Sequence, residues 1–183
     1  MTGLTATASV VIASTTAGRL VSIDAMSGSI RWLYPMRAPL EHAVCLTGSL
    51  VHAASSDGIL YTLDVGTGRP RWAFQLDQTP TVHPVAVGTS LVALATSGLI
   101  GLDRSSGEQL WVAELDHPVE RLRGGRSHGV ASNPTGIQML DAFGALTAVP
   151  GAVDAIQVGD HVAIAAADRV VWWTPETRSN APG

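Results

Sequence analysis

Apolar residues along this chain come in short runs, with polar residues at alternate positions or at the run ends. SLVHAAS, ILYTLD, PRWAFQL and SLVALAT are examples, each bounded by Gly, Ser, Asp or Pro. Alternation over so few residues is the strand period, and the bounding residues are turn formers. No stretch sustains a helical period, and Val, Thr, Ala and Gly are abundant throughout. The pattern predicts an all-β chain with almost no helix. TTAG (residues 15 to 18) and SSDG (55 to 58) read as hairpin turns in which glycine supplies a positive φ.

The runs are organised by a repeat. LVSIDAMSGSIRW, LYTLDVGTGRPRW and LIGLDRSSGEQLW place an Asp, a Gly four residues later and a Trp four residues after that: Asp24, Gly28, Trp32; Asp64, Gly68, Trp72; Asp103, Gly107, Trp111. A weaker fourth copy, IQMLDAFGALTAV, has Asp141, but Gly144 follows after three residues and Ala148 or Val149 replaces the Trp. A fifth, RVVWWTPETRSN, would put Thr174 in the Asp place. A period of roughly 40 residues holding three or four strands is the size of one propeller blade. The Asp carboxylate is expected to accept bonds from the following amides in an Asx-type turn, and the Gly to take the left-handed position after it. The Trp, on the outer strand, is expected to cover the seam between neighbouring sheets. One domain over 1–183 follows, with repeats at about 4–37, 38–77, 78–116, 117–150 and 151–178. The fifth copy stops after its third strand, so LTATAS at the N-terminus could complete a closed five-bladed ring. The alternative is a partial arc of a larger propeller.

The motif D-x-x-[TS]-G-x-x-x-W after a G-x-[LI] hairpin resembles the quinoprotein-type β-propeller repeat. That repeat builds the pyrroloquinoline-quinone-dependent alcohol dehydrogenases and the outer-membrane assembly lipoprotein of the Bam complex. The three strong copies match it and the last two depart from it. The resemblance implies a propeller, usually of seven or eight blades, which needs about twice this length. For the dehydrogenases it also implies a quinone above the ring, a bound metal, an Asp base and a pair of adjacent cysteines. This chain has one cysteine, Cys45, and its repeat Asp residues are turn formers. Quinone-dependent catalysis is therefore not expected, and no cofactor is implied.

Composition narrows the classes further. Of the 183 residues 46% are hydrophobic and 14% charged, which suits a folded domain with its own core. The net charge of −4 argues against general nucleic-acid binding. All 11 basic residues are arginines, so Schiff-base chemistry and a P-loop lysine are excluded. The single cysteine excludes an internal disulfide and a cysteine-built zinc site. No apolar run reaches membrane-spanning length. The start, MTGLTATASVVIAS, lacks a basic region and reads as a first strand; with Met1 as the native start the expectation is a cytoplasmic protein.

Candidate chemistry lies in the segments expected to form the innermost strands, PLEHAVCLTG, PTVHPVAVG, PVERLRGG and AVDAIQVG. One polar residue recurs in each: His42 (or Glu41), His83, Glu120 and Asp154. Facing a central channel, such a ring could hold a divalent metal, perform acid–base work, or line a wet channel. RLRGGRSH carries Arg121, Arg123 and Arg126 beside two glycines, the one basic cluster. It is either an anion grip or a solvated loop. Trp172 and Trp173 would point to opposite faces of a strand, where one of them could contact a partner or, equally, fill the place of the missing repeat tryptophan in the last blade. The expected function is a non-catalytic binding or scaffold module for a protein or peptide partner, with oligomerisation open. The alternatives are a small enzyme or ligand-binding protein using the channel mouth, and a subunit completing a larger propeller.

Overall fold

The computed structural model describes residues 3–149, 152–158, 161–166 and 170–173. Among them every regular element is a β-strand. The first sheet holds β1 (Gly3–Ala6), β2 (Val10–Thr15), β3 (Arg19–Asp24) and β4 (Ile30–Pro35). The second holds β5 (Cys45–Thr47), β6 (Leu50–Ala54), β7 (Ile59–Asp64) and β8 (Pro70–Gln75). The third holds β9 (Val85–Val87), β10 (Ser90–Ala95), β11 (Gly98–Asp103) and β12 (Gln109–Ala113). The fourth holds β13 (Arg121–Arg123), β14 (His128–Asn133), β15 (Gly136–Asp141) and β16 (Leu146–Val149). The fifth has three described strands, β17 (Ala152–Val158), β18 (His161–Ala166) and β19 (Val170–Trp173). Each sheet is an antiparallel meander in chain order. One repeat makes one sheet, and the sheets are propeller blades.

The segment expected to close the ring from the N-terminus does something else. Residues 3–6 form the inner strand of the first sheet, with Gly3 opposite Ser14 and Ala6 opposite Val11. The pairing is local: β1 runs directly into β2 through a three-residue turn in which the Val10 carbonyl accepts from the Thr7 amide at 2.8 Å. A local hairpin closes at smaller entropic cost than a pairing across the whole chain.

Strand alternation explains why the sheets stack. On the first sheet Val10, Ile12, Leu20 and Trp32 share one face and meet Val51, Ala53, Tyr61 and Leu63 of the second. The opposite face of the second sheet offers Leu60 to Leu91, Ala93, Ile100 and Leu102 of the third. Val92, Leu94 and Leu99 then meet Ala131 and Leu140 of the fourth, and Val130, Ile137 and Met139 meet Val162 and Ile164 of the fifth. The core therefore lies between blades, so no blade can bury both faces alone.

The turn after the third strand is built as the motif requires in the first three blades. Asp24 Oδ1 accepts from the amides of Met26 and Ser27 at 3.0 and 2.8 Å. Asp64 Oδ1 accepts from Thr67 N at 2.9 Å, and Asp103 Oδ1 from Ser105 and Ser106 at 2.9 Å each. Gly28, Gly68 and Gly107 follow with φ of 71°, 70° and 76°, in the left-handed region. Two arginines add to this arrangement: Arg31 and Arg71 reach back to the outer oxygens of Asp24 and Asp64 at 2.6 and 2.9 Å. The signal was an Arg seven positions after the Asp in two copies; the third copy has Leu110 there.

Each of the three repeat tryptophans, Trp32, Trp72 and Trp111, locks its blade to the next. The indole N–H of Trp32 donates to Val65 O at 2.7 Å, that of Trp72 to Arg104 O at 3.0 Å, and that of Trp111 to Ala142 O at 3.2 Å. The accepting carbonyl always belongs to the residue after the next copy's Asp. Each ring also lies on the next copy's glycine, Gly68, Gly107 or Gly144. The fourth copy's shortened turn still receives its indole.

Candidate functional site

The first strands of the blades approach one another at one edge of the stack. Val87 of β9 makes a parallel bridge with Gly125, just beyond β13. The glycines of RLRGGRSH permit this approach, since a Cβ at Gly124 would stand 2.1 Å from Ala86 O. Two adjoining cavities open here.

The smaller, of about 360 Å³, is lined by His42, His83, Glu120, Arg121 and Arg123 among others. Glu120 precedes β13, and its amide donates to Ser132 O at 3.0 Å. Arg121 and Arg123 are two apart on a strand, so they share a face, while Leu122 between them is buried. Arg123 also donates to Ala155 O of the fifth blade. His42 Nε2 lies 3.2 Å from Pro80 O. Burial first, and then the neighbouring His42, hold the pKa of His83 below the ordinary imidazole value.

The larger cavity, of about 650 Å³, shares His83 and is lined by Cys45, Arg104, Arg126 and the backbone of Gly88, Gly124 and Gly125. No carboxylate is among its lining residues. Burial pushes the Cys45 thiol up to about 11, against a hydrogen bond from Ala86 and the charge of Arg104. Arg104 donates from Nε to Thr89 O at 3.1 Å. Sequence reasoning did not single out Arg104. The signal was available, because the residue after the repeat Asp is Ala25, Val65 and Ala142 in the other copies.

The recurring polar residues thus come together in part. His42, His83 and Glu120 line one cavity. Asp154 is exposed on β17, its Oδ1 accepting its neighbour's Ala155 amide at 2.8 Å, and it lines neither cavity. Among the described residues no three His, Cys, Asp or Glu side chains gather closely enough to hold a metal ion. The arginine cluster is divided, with Arg121 and Arg123 on the smaller cavity and Arg126 on the larger. Trp172 and Trp173 fall on β19, but their side chains, and Thr174, lie outside the described residues.

Behind Cys45, fully buried His52 bridges two hydroxyls. Its Nε2 is 2.7 Å from Thr47 Oγ1 and its Nδ1 2.7 Å from Thr62 Oγ1. Burial, and to a lesser degree Arg104, lower its pKa to about 4, so the ring is neutral at pH 7. It is a structural polar link, and a pattern of alternating residues does not distinguish it from a channel histidine.

Arginines around these cavities suit carboxylate recognition, because the guanidinium fork offers paired N–H donors. Among the described residues no helix is long and apolar enough to cross a membrane.

Comparison with known structures extends the fold reading. BamB from Moraxella catarrhalis is similar with a TM-score of 0.74 at 20% identity, over 93% of this chain and 56% of that one. The computationally designed Ika8 protein gives 0.71 at 16% identity, over 94% and 57%. A europium-containing methanol dehydrogenase gives 0.56 at 15% identity, over 63% and 25%. The chain spans just over half the length of the first two. No curated protein matches its sequence. The family model described as outer membrane protein assembly factor BamB matches residues 2–179. A match over nearly the whole length, on a chain whose blades carry the Asp–Gly–Trp repeat, makes this protein a member of the BamB-like family of quinoprotein-type β-propellers.

Proposed function

We propose that the chain is a non-catalytic binding scaffold whose ligand is a protein or peptide segment bearing carboxylates, held where the inner strands meet. The observation that carries this is the adjoining pair of cavities sharing His83, lined between them by Arg104, Arg121, Arg123 and Arg126 against a single carboxylate, Glu120. On a chain of net charge −4 this is a local concentration of positive charge. The family's description as an outer membrane protein assembly factor supports a role in contact with other proteins.

The test is fluorescence anisotropy with a labelled acidic peptide and a basic peptide of the same length, at low and at high salt. Binding of the acidic peptide alone, weakened by salt and by the Arg121→Ala, Arg126→Ala double variant, is the expected result. Equal binding of both peptides, or no effect of the double variant, would remove the cavities as the binding site.

A further inference from the structure

The fourth blade departs from the repeat at a buried position. Counting three residues back from each repeat Asp gives Val21, Tyr61, Ile100 and Gln138. Tyr61 and Ile100 stack against the preceding blade and are 9% and 5% exposed. Gln138 holds the same place and is 8% exposed, so a polar amide is sealed where the others are apolar. Its Nε2 donates to Asp116 Oδ2 at 3.2 Å, and among the described residues its Oε1 has no protein partner. An unpaired buried amide oxygen is costly, and native folds meet such groups with water or a ligand.

The carboxylate of Asp116 lacks the partner that its counterpart has. Trp72 and Trp111 are each followed five residues later by an Asp, Asp77 and Asp116, in the connection to the next blade. Asp77 Oδ1 accepts at 2.8 Å from the amide of Thr96, in the hairpin that spans 95–98. The matching hairpin of the fourth blade, 133–136, has Pro134 in that place, and proline has no N–H to give. Asp116 therefore keeps Gln138 alone as a hydrogen-bond partner among the described residues. Both side chains line a cavity of about 360 Å³ between the connection and the fourth blade. Its walls include Pro118, Ile137, Ala148 and Val149, and no arginine lines it.

We propose that this cavity binds a guanidinium group on an aliphatic stem, the chemistry of an arginine side chain or of a free alkylguanidine. The Asp116 carboxylate and the Gln138 amide oxygen are neighbouring acceptors, tied together by the bond between the two side chains. The planar guanidinium fork presents parallel N–H donors and meets both at once, whereas an ammonium is a point charge with diverging donors. The methylene stem packs on the apolar walls while its charge stays at the carboxylate. The site shares no lining residue with either arginine cavity, and it selects the opposite charge.

The test is NMR titration of the isotope-labelled full chain, read at the backbone amides of Asp116, Val119 and Ser132. The probes are butylguanidine and blocked tripeptides with arginine, citrulline or lysine between two alanines. Expected is saturable binding of butylguanidine and of the arginine peptide, with the neutral citrulline peptide weaker by about tenfold or more. Tighter binding of the arginine peptide than of butylguanidine supports the site and assigns it to a protein-borne arginine. Equal or weaker binding of that peptide supports it as a site for the free compound. Asp116→Asn should weaken binding by about tenfold or more. Pro134→Thr should also weaken it, because it offers Asp116 the amide that Thr96 gives Asp77. Gln138→Leu should lose binding while the melting temperature holds or rises, since the other copies carry apolar residues there. Citrulline or lysine peptides that bind as tightly as the arginine peptide would overturn the proposal. So would unchanged affinity in Asp116→Asn or in Gln138→Leu.

Discussion

The indole of Trp72 lies so close to Gly107 that a Cβ on that glycine would sit 2.6 Å from the ring. The two residues belong to successive copies, and their contact joins the second blade to the third. The glycine thus has two roles, a left-handed turn and a seat for a ring.

These roles separate experimentally. Gly28→Ala meets only the cost of a left-handed φ, about 1 kcal/mol, because nothing stands within 4 Å of a Cβ there. Gly107→Ala meets that cost and must also displace Trp72, so it should be destabilised by about 2 kcal/mol more. Gly68→Ala, under Trp32, should behave like Gly107→Ala. Urea denaturation of the three variants checks the order. Equal losses at Gly28 and Gly107 would show that the ring contact adds nothing to the turn.

The indole itself carries two interactions. Trp72→Ala should cost about 3 kcal/mol, the scale for truncating a large aromatic at a packed seam. Trp72→Phe keeps most of the apolar contact and loses the bond to Arg104 O, so about 1 kcal/mol is expected. Trp111 donates to Ala142 O in the same way and should give the same pair of values. A loss from Trp72→Phe as large as that from Trp72→Ala would assign the contribution to the hydrogen bond rather than to the ring.

The turn and the seam were legible because each rests on residues with few substitutes. An Asp that caps a turn, a glycine at positive φ and a tryptophan at one fixed spacing recur three times, and the strands between them alternate with period two. What sat on the other side of the seam was not legible. That Trp32 lands on Gly68 depends on how far one blade is rotated from the next, which no spacing within a copy encodes. The inner-strand residues were harder still. His42, His83 and Glu120 reach one cavity, but Asp154 does not, because β17 carries a register shift between Ala152 and Asp154 that a sequence alignment passes over. Arg104 enters from a turn, where the eye follows the Asp before it.

Cys45 gives a chemical check on the larger cavity. It lines an open space, yet burial pushes its thiol up to about 11. The thiolate is the reactive species, so native Cys45 should react with iodoacetamide at pH 8 about a hundredfold more slowly than in the denatured chain. Mass spectrometry of timed quenches reads the ratio. Comparable rates in native and denatured protein would mean that the thiol is solvated and Arg104 governs it more strongly than burial does.

The last prediction concerns acid. His52 is fully buried between Thr47 and Thr62, with Trp72 at a ring-centroid distance of 6.0 Å and Arg104 the nearby charge. Its folded pKa is lowered to about 4, whereas in the unfolded chain it takes its proton near the ordinary value of 6.5. Between those values the unfolded state binds more protons, so stability falls as pH falls. The contribution is fully present above about pH 6.5 and is lost as pH drops through about 4, to a limit of about 3 kcal/mol. Asp24, Asp64 and Asp103 act at lower pH. Their turn amides and hydroxyls, with Arg31 and Arg71 beside the first two, hold them below the usual carboxylate range, and the stability they add is lost only below about pH 4. His83 and His128 are also lowered by burial, so the slope of the wild-type protein is a sum. Subtracting the profile of His52→Gln isolates the one residue. That variant should be less stable at pH 7, having lost a fitted link between two hydroxyls, and should lose less than the wild type between about pH 7 and about pH 4.5. Parallel profiles over that range would mean that His52 is protonated as readily in the fold as outside it, and the neutral bridge from Thr47 to Thr62 would fall with them.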